Sequence, residues 1–125
     1  MSHFTTIKTQ IKDIAALRAA VTELGLTLLE KADARGYSTK TTKGEFVIRL
    51  KGPYDIAVNR EGDGTLGLTT DWWNGHVEKE VGPAYGRLLQ LYGVHKATAE
   101  ARKKGHFVRR QPQANGAIKL VIATA

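Results

Sequence analysis

The clearest pattern in the chain is a set of three short runs, rich in apolar and β-branched residues, at its centre. They cover residues 45–50, 54–60 and 65–73, and the breakers Gly52-Pro53 and Gly62-Asp63-Gly64 separate them. Short runs of this kind, divided by Gly- and Pro-containing turns, are typical of consecutive antiparallel strands. The centre of the chain is therefore predicted to be a β-meander.

Alternation along these strands predicts a sheet with one apolar face. One side would carry Phe46, Ile48, Leu50, Tyr54, Ile56 and Val58. Helices are expected to cover that side. The first helix is predicted from Ile14 to Leu24, with Asp13 as its N-cap and Gly25 at its end, because apolar residues recur there at three- and four-residue steps.

Further helices are predicted over residues 77–92 and 94–104. Gly82-Pro83 would break the first turn, and Gly93 would interrupt between the two helices. Residues 3–11 alternate as a first strand, and residues 26–31 fit either a second strand or an irregular connection. Residues 32–44 are polar and predict a loop, with a possible short strand around Tyr37.

The last two runs, residues 106–110 and 117–124, flank Asn115-Gly116, which favours a hairpin with a type I′ turn. The predicted order is β-α-β-β-β-β-α-α-β-β. It indicates an α+β fold, with helices packed on one face of an antiparallel sheet, in a single domain over residues 1–125.

Composition narrows the classes of function. The chain has no cysteine, which excludes disulfides, thiolate metal sites and a cysteine nucleophile. It contains no run of about 20 apolar residues and no secretory leader, so no membrane partner is expected. Its net charge of +7 favours polyanionic partners, namely nucleic acid, anionic lipid or an acidic protein surface.

The main concentration of positive charge is called the basic strip here. It consists of Lys96, Arg102, Lys103, Lys104, Arg109 and Arg110. Lys96 and Lys103 lie seven residues apart and share a helical face, so the strip could bind phosphates. The alternative is that these cations only offset the negative end of the helix dipole and keep the surface solvated.

A second candidate site is the partner-binding region formed by Tyr54, Asp71, Trp72 and Trp73. Adjacent strand residues face opposite sides, so one tryptophan can enter the core while the other turns outward. An outward indole could stack on a base or anchor a protein partner. The alternative is that the following helix and its preceding turn cover both rings.

Support for catalysis is weaker. Asp55, Asp71 and His76 could converge as a small enzyme or metal site, but no histidines stand at metal-ligand spacing. Ser2 and Ser38 are the only serines, and neither glycine turn continues as a phosphate-binding loop. No catalytic residue, metal or cofactor is predicted.

Four segments resemble a known family. They are MSHFTTIKT (residues 1–9), RLKGPYDI (49–56), DWW (71–73) and NGAIKL (115–120). Together they resemble the conserved proteins of cyanobacteria and algal plastids called hypothetical chloroplast reading frame thirty-five, a domain of unknown function. The resemblance spans nearly the whole chain. It implies the cyanobacterial cytoplasm or the plastid stroma and an accessory role in a larger machine, and it supplies no catalytic residues.

The leading hypothesis is a non-catalytic binding or adaptor module for a protein or nucleic-acid partner. The small enzyme is the rival from another class. A third possibility is a structural subunit of an oligomer joined through the edge of the strand over residues 117–124, because open sheet edges pair with other strands.

Overall fold

A computed structural model describes residues 3–124; Met1, Ser2 and Ala125, at the ends of the predicted domain, lie outside the described residues. The strands are β1 (Phe4–Lys8), β2 (Thr27–Arg35), β3 (Thr41–Arg49), β4 (Ile56–Arg60), β5 (Leu66–Asp71), β6 (Phe107–Pro112) and β7 (Ile118–Ala123). The helices are α1 (Ile14–Glu23), α2 (Glu78–Val81) and α3 (Gly86–Lys103). The predicted α+β class is confirmed.

The main sheet has five antiparallel strands in the order β1-β5-β4-β3-β2. Its centre is the predicted meander, in which Ile48 lies opposite Ile56 and Val58 opposite Leu68. These side chains are fully buried under α1 and α3, together with Leu17, Val21 and Leu88. The N-cap of α1 is also as predicted, since the Asp13 carboxylate accepts a hydrogen bond from the Ala16 amide at 3.1 Å.

The loop predicted over residues 32–44 is wrong. Most of it belongs to β2 and β3, which pair from Thr27 opposite Arg49 to Arg35 opposite Thr41. The ribbon they form curls across the second face of the sheet, where Ala34 packs on Val47 and Ala57. A polar ribbon can be a strand pair here because small residues suffice for its narrow buried side.

The tip of this ribbon reaches the far edge of the sheet. Gly36 lies against the Phe4 ring of β1, and a β-carbon on Gly36 would stand only 2.5 Å from that ring. The second face of the sheet is thus partly covered by the chain itself. Because the tip crosses the sheet, it also meets the ends of β4 and β5.

Of the two interruptions predicted in the helical segment, one is present and one is absent. The break at Gly82-Pro83 is confirmed: Gly82 has φ +84°, and the left-handed Ala84 and Tyr85 precede the start of α3 at Gly86. Gly93 does not interrupt α3, because it lies on the open side of a helix anchored by Leu91 and Val94. Packing of those side chains outweighs the helix cost of glycine, about 1 kcal/mol.

Strands β6 and β7 form a separate two-stranded hairpin, as predicted. Its connection is longer than the expected two-residue type I′ turn. The Gly116 amide donates to the Gln113 carbonyl at 3.1 Å, and Gly116 alone in this turn has positive φ. The hairpin prediction is confirmed, whereas the turn type is wrong.

Candidate binding surfaces

The buried carboxylate of Asp55, just before β4, joins the curled ribbon to the sheet. It accepts hydrogen bonds from Nε and Nη2 of Arg35, both at 2.8 Å, and from the Arg35 amide at 3.0 Å. The Leu50 amide donates to it at 3.2 Å. Burial alone would raise the pKa of Asp55, but the hydrogen bonds from Arg35 and Leu50 outweigh it and lower that pKa.

Asp71, at the end of β5, is buried, and its carboxylate connects two loops. One carboxylate oxygen accepts from the Tyr37 amide at 3.3 Å, and the other from the Trp73 amide at 3.0 Å. The Tyr37 and Trp73 rings meet edge to face, 6.1 Å between centroids. We call these two side chains the aromatic pair; each keeps a little under half of its surface exposed.

The four residues of the predicted partner-binding region divide between this surface and the core. Trp73 is the outward tryptophan, while Trp72 packs against buried Tyr85, 4.7 Å between ring centroids. Tyr54 is buried beside His76, 5.1 Å between centroids. Burial and then the charge of Asp71 raise the pKa of Tyr54. Tyr37 was not predicted as part of this surface. It lies in a polar stretch whose composition is typical of a loop, and nothing local in the sequence indicates its contact with Trp73.

A cleft of about 430 Å³ lies at the tip of the ribbon beside the aromatic pair. Its walls include Arg35, Tyr37, Lys40, Pro53 and Tyr54. The loop that carries Pro53 is fixed from below by Glu80, whose carboxylate accepts from the Lys51 and Gly52 amides at 2.8 and 3.0 Å. The surface is therefore held in place by internal hydrogen bonds.

In the rival enzyme or metal site of Asp55, Asp71 and His76, both carboxylates already accept hydrogen bonds from other groups of this chain. Asp55 is bound to Arg35, and Asp71 holds the two backbone amides of the aromatic pair. Within residues 3–124, no three histidine or acidic side chains are grouped so that they could hold a metal ion. The geometry assigns both carboxylates a part in fixing the ribbon and the loops.

Two members of the basic strip are neutralised by neighbours. Lys96 contacts Asp13 at 3.3 Å and Glu100 at 3.1 Å, and Arg110 donates two hydrogen bonds of 2.9 Å to Glu23. The Glu23 carboxylate also contacts His95 at 2.7 Å. The hydrogen bonds from Arg110, partly offset by burial, lower the pKa of Glu23.

The other four members, Arg102, Lys103, Lys104 and Arg109, are exposed and make no salt bridge within the described part of the chain. Arg102 and Lys103 lie in the last turn of α3, Lys104 is the residue that caps its C-terminal end, and Arg109 lies in β6. Residues 101–125 contain no aspartate or glutamate and six lysines and arginines, whereas the first hundred residues are nearly neutral. Most of the net charge of +7 is thus concentrated in this part of the molecule.

Phe107 lies directly between these cations and was not singled out from the sequence. It is 68 % exposed, more than any other large hydrophobic side chain in residues 3–124. Its position could have been predicted from the sequence, because alternation along the strand predicted over residues 106–110 places Phe107 and Arg109 on one side and Arg110 on the other.

Fold and surfaces together define a basic α+β protein with an aromatic surface on one sheet and a cationic surface beside a separate hairpin. No helix in residues 3–124 has the length and apolarity needed to cross a bilayer. The chain belongs to the family described as "Protein of unknown function (DUF1257)", whose model matches residues 20–121. This match, together with the relative described next, confirms the resemblance drawn from the sequence.

A curated relative matches over nearly the full length of both chains. This protein, "Uncharacterized protein ycf35" of Guillardia theta, is 29% identical over 125 residues, which cover 98% of this chain and 96% of the relative. No solved structure matches the chain.

Proposed function

We propose that this chain is a non-catalytic binding module that holds nucleic acid on its basic strip. The observation that carries the proposal is the group of four exposed cations, Arg102, Lys103, Lys104 and Arg109, in a segment without acidic residues. Family resemblance supports the cytoplasm or the plastid stroma as its compartment.

Counterion release gives this surface its affinity. Each lysine or arginine that neutralises a phosphate displaces condensed cations from the nucleic acid, so affinity falls as salt rises. Cations already paired with carboxylates contribute less, because they must exchange one anion for another. Lys96 and Arg110 should therefore matter less than Lys103 and Arg109.

The test is the salt dependence of binding, measured by fluorescence anisotropy with a labelled oligonucleotide of mixed sequence. The double variant Lys103→Gln/Arg109→Gln should reduce the slope of log K against log salt by roughly 1.4 to 1.8, at about 0.7 to 0.9 per phosphate contact. Its matched control is Lys43→Gln/Lys79→Gln, which removes the same charge from exposed positions outside the strip.

Three results decide the proposal. A reduced slope in the strip variant alone supports it. Equal changes in both double variants would show a dependence on net charge and not on the strip. A flat salt dependence of the wild-type protein, or no binding near 50 mM salt, would remove nucleic acid as the partner.

A second candidate function is suited to the aromatic pair: adaptor binding of a protein partner. The favouring observation is that Trp73 is about half exposed, while Asp71 accepts from its backbone amide and the Tyr37 ring packs edge to face against its indole, so part of the ordering cost is met before binding. Tyr54, Asp71 and Trp72 then support the surface, and Tyr37 and Trp73 make the contact.

Affinity capture from host lysate separates the two functions. Capture is performed with the wild type, Trp73→Ala and the strip double variant, each with and without nuclease, and is quantified by mass spectrometry. A stoichiometric protein that survives nuclease and is lost only from Trp73→Ala supports the adaptor function. Proteins that vanish with nuclease, or that Trp73→Ala retains in full, contradict it.

A further inference from the structure

The β6–β7 hairpin has two unlike faces. Direct pairing places Arg109 opposite Val121 and Gln111 opposite Lys119. Since side chains alternate along a strand, one face carries Phe107, Arg109, Gln111, Lys119, Val121 and Ala123. We call this set the hairpin outer face, because the opposite face carries the residues that contact the body of the protein.

The inner face fixes the hairpin to the helices. Arg110 binds Glu23 at the end of α1 through two hydrogen bonds of 2.9 Å, and Ile118 packs against the main core. At the turn, the side-chain amide Nε2 of Gln90, in α3, donates to the Gly116 carbonyl at 3.0 Å. The outer face is therefore a supported platform, which is what a small two-stranded unit needs in order to present a binding surface.

Phe107 adds an exposed aromatic ring to this face, and binding of phosphates by the cations does not account for it. The ring is 68 % exposed, Arg109 is on the same face, and the cationic end of α3 lies just before it along the chain. A phosphate backbone gains nothing from a phenyl ring. An unpaired base does, because stacking on an aromatic side chain contributes about 1–3 kcal/mol per base and is tolerant of sequence.

We infer that the ligand of the basic strip is single-stranded nucleic acid, with a base stacked on Phe107 and the backbone bound by Lys103, Arg109 and Lys119. This inference rests on the proposed function and adds the strandedness of the ligand. In a duplex the base faces are already stacked on one another, so Phe107 has no partner there. Cations around an exposed ring match the general design of single-strand binding surfaces.

The experiment compares RNA and DNA single strands of about twelve nucleotides with the duplex of the same sequence, by anisotropy at fixed low salt. Phe107→Ala and Phe107→Leu should each weaken single-strand binding by about 5- to 150-fold, corresponding to the loss of one stacked base. Phe107→Trp should retain it. Duplex binding should change less than about twofold, because it uses only the cations.

Ile122→Ala is the matched control, since it removes an exposed apolar side chain from the opposite face of the same hairpin and should leave single-strand binding intact. The melting temperature of each variant verifies folding, and Phe107→Leu keeps an apolar side chain if Phe107→Ala is unstable. RNA and DNA single strands that bind alike place recognition on bases and phosphates. A clear preference for RNA adds a contact to the 2′-hydroxyl.

The outcomes separate this inference from the proposed function. Equal affinity for duplex and single strand, unaffected by Phe107→Ala but reduced by Lys103→Gln/Arg109→Gln, would overturn the single-strand inference and leave nucleic-acid binding intact. No binding of any oligonucleotide would overturn both. A Phe107→Ala effect of the same size on duplex and single strand would also contradict stacking on an unpaired base.

Discussion

The Asp55 carboxylate is the point at which a conservative substitution should be most costly. Asp55→Asn keeps the shape of the side chain but removes its charge and replaces one acceptor oxygen by a donor. Each carboxylate oxygen accepts hydrogen bonds from two of the four N–H groups that Arg35 and Leu50 place within 3.2 Å, so either orientation of the new amide loses two acceptor contacts. The replacement therefore places an amide group against donors in a site that water does not reach.

The expected cost is about 3 kcal/mol of unfolding free energy. Breaking a buried ion pair costs about 3–5 kcal/mol, and the lower end applies because the Arg35 side chain is 43% exposed and can be rehydrated. For a chain of this length the melting temperature should fall by about 10 °C. The matched control is Asp33→Asn, at an exposed carboxylate of β2, the strand that carries Arg35; it should change the free energy by less than about 0.5 kcal/mol.

Urea and thermal unfolding at neutral pH measure both values, and a pH series tests the charge. The folded-state pKa of Asp55 is lowered, so its contribution is complete above the ordinary value of 3.8 and is lost as pH falls through the folded-state pKa. Asp55→Asn should lack this part of the acid destabilisation. If Asp55→Asn and Asp33→Asn prove equally stable, the ion pair does not hold the ribbon on the sheet.

Two smaller perturbations test other parts of the fold. Glu23→Gln removes the charged acceptor of Arg110, so hydrogen exchange in the β6–β7 hairpin should accelerate severalfold while Glu30→Gln leaves it unchanged; exchange unaffected by both would show that the hairpin is held by its apolar contacts. Tyr85→Phe should keep or raise stability by up to about 1 kcal/mol in urea unfolding. Its buried hydroxyl has no hydrogen-bond partner within residues 3–124, and a loss above 1 kcal/mol would reveal a partner.

Period-two alternation was enough to predict the meander, because β3, β4 and β5 bury one complete face under the helices. It was insufficient for the ribbon over residues 32–44. There the buried side is made of Ala34 and glycines that carry no hydrophobic signal, and the exposed side is polar. Glycine alone did not indicate where the helical segment breaks. Gly82 adopts a positive φ and ends α2, whereas Gly93 lies on the open side of α3, where no packing is required, and the helix continues through it.

The candidate sites were predictable to the extent that they are local in sequence. Asp71-Trp72-Trp73 predicts one inward and one outward ring, and the strip follows from the density of lysine and arginine. Tyr37 and Arg35 reach their sites only because the ribbon crosses the sheet, a contact over 34 residues in the case of Tyr37 and Asp71. Which cations are free was equally hidden, because Glu23 pairs with Arg110 across 87 residues.

The central claim is that nucleic acid lies on the basic strip and the hairpin outer face, and photo-crosslinking tests it most directly. A single-stranded RNA containing thiouridine is irradiated with the wild-type protein, and the crosslinked peptides are identified by mass spectrometry. Crosslinks should fall on Phe107 and the adjoining peptides of α3 and β6, and should weaken as salt rises. Crosslinks at Tyr37 and Trp73 instead, or none above those of an unrelated basic protein, would contradict the claim.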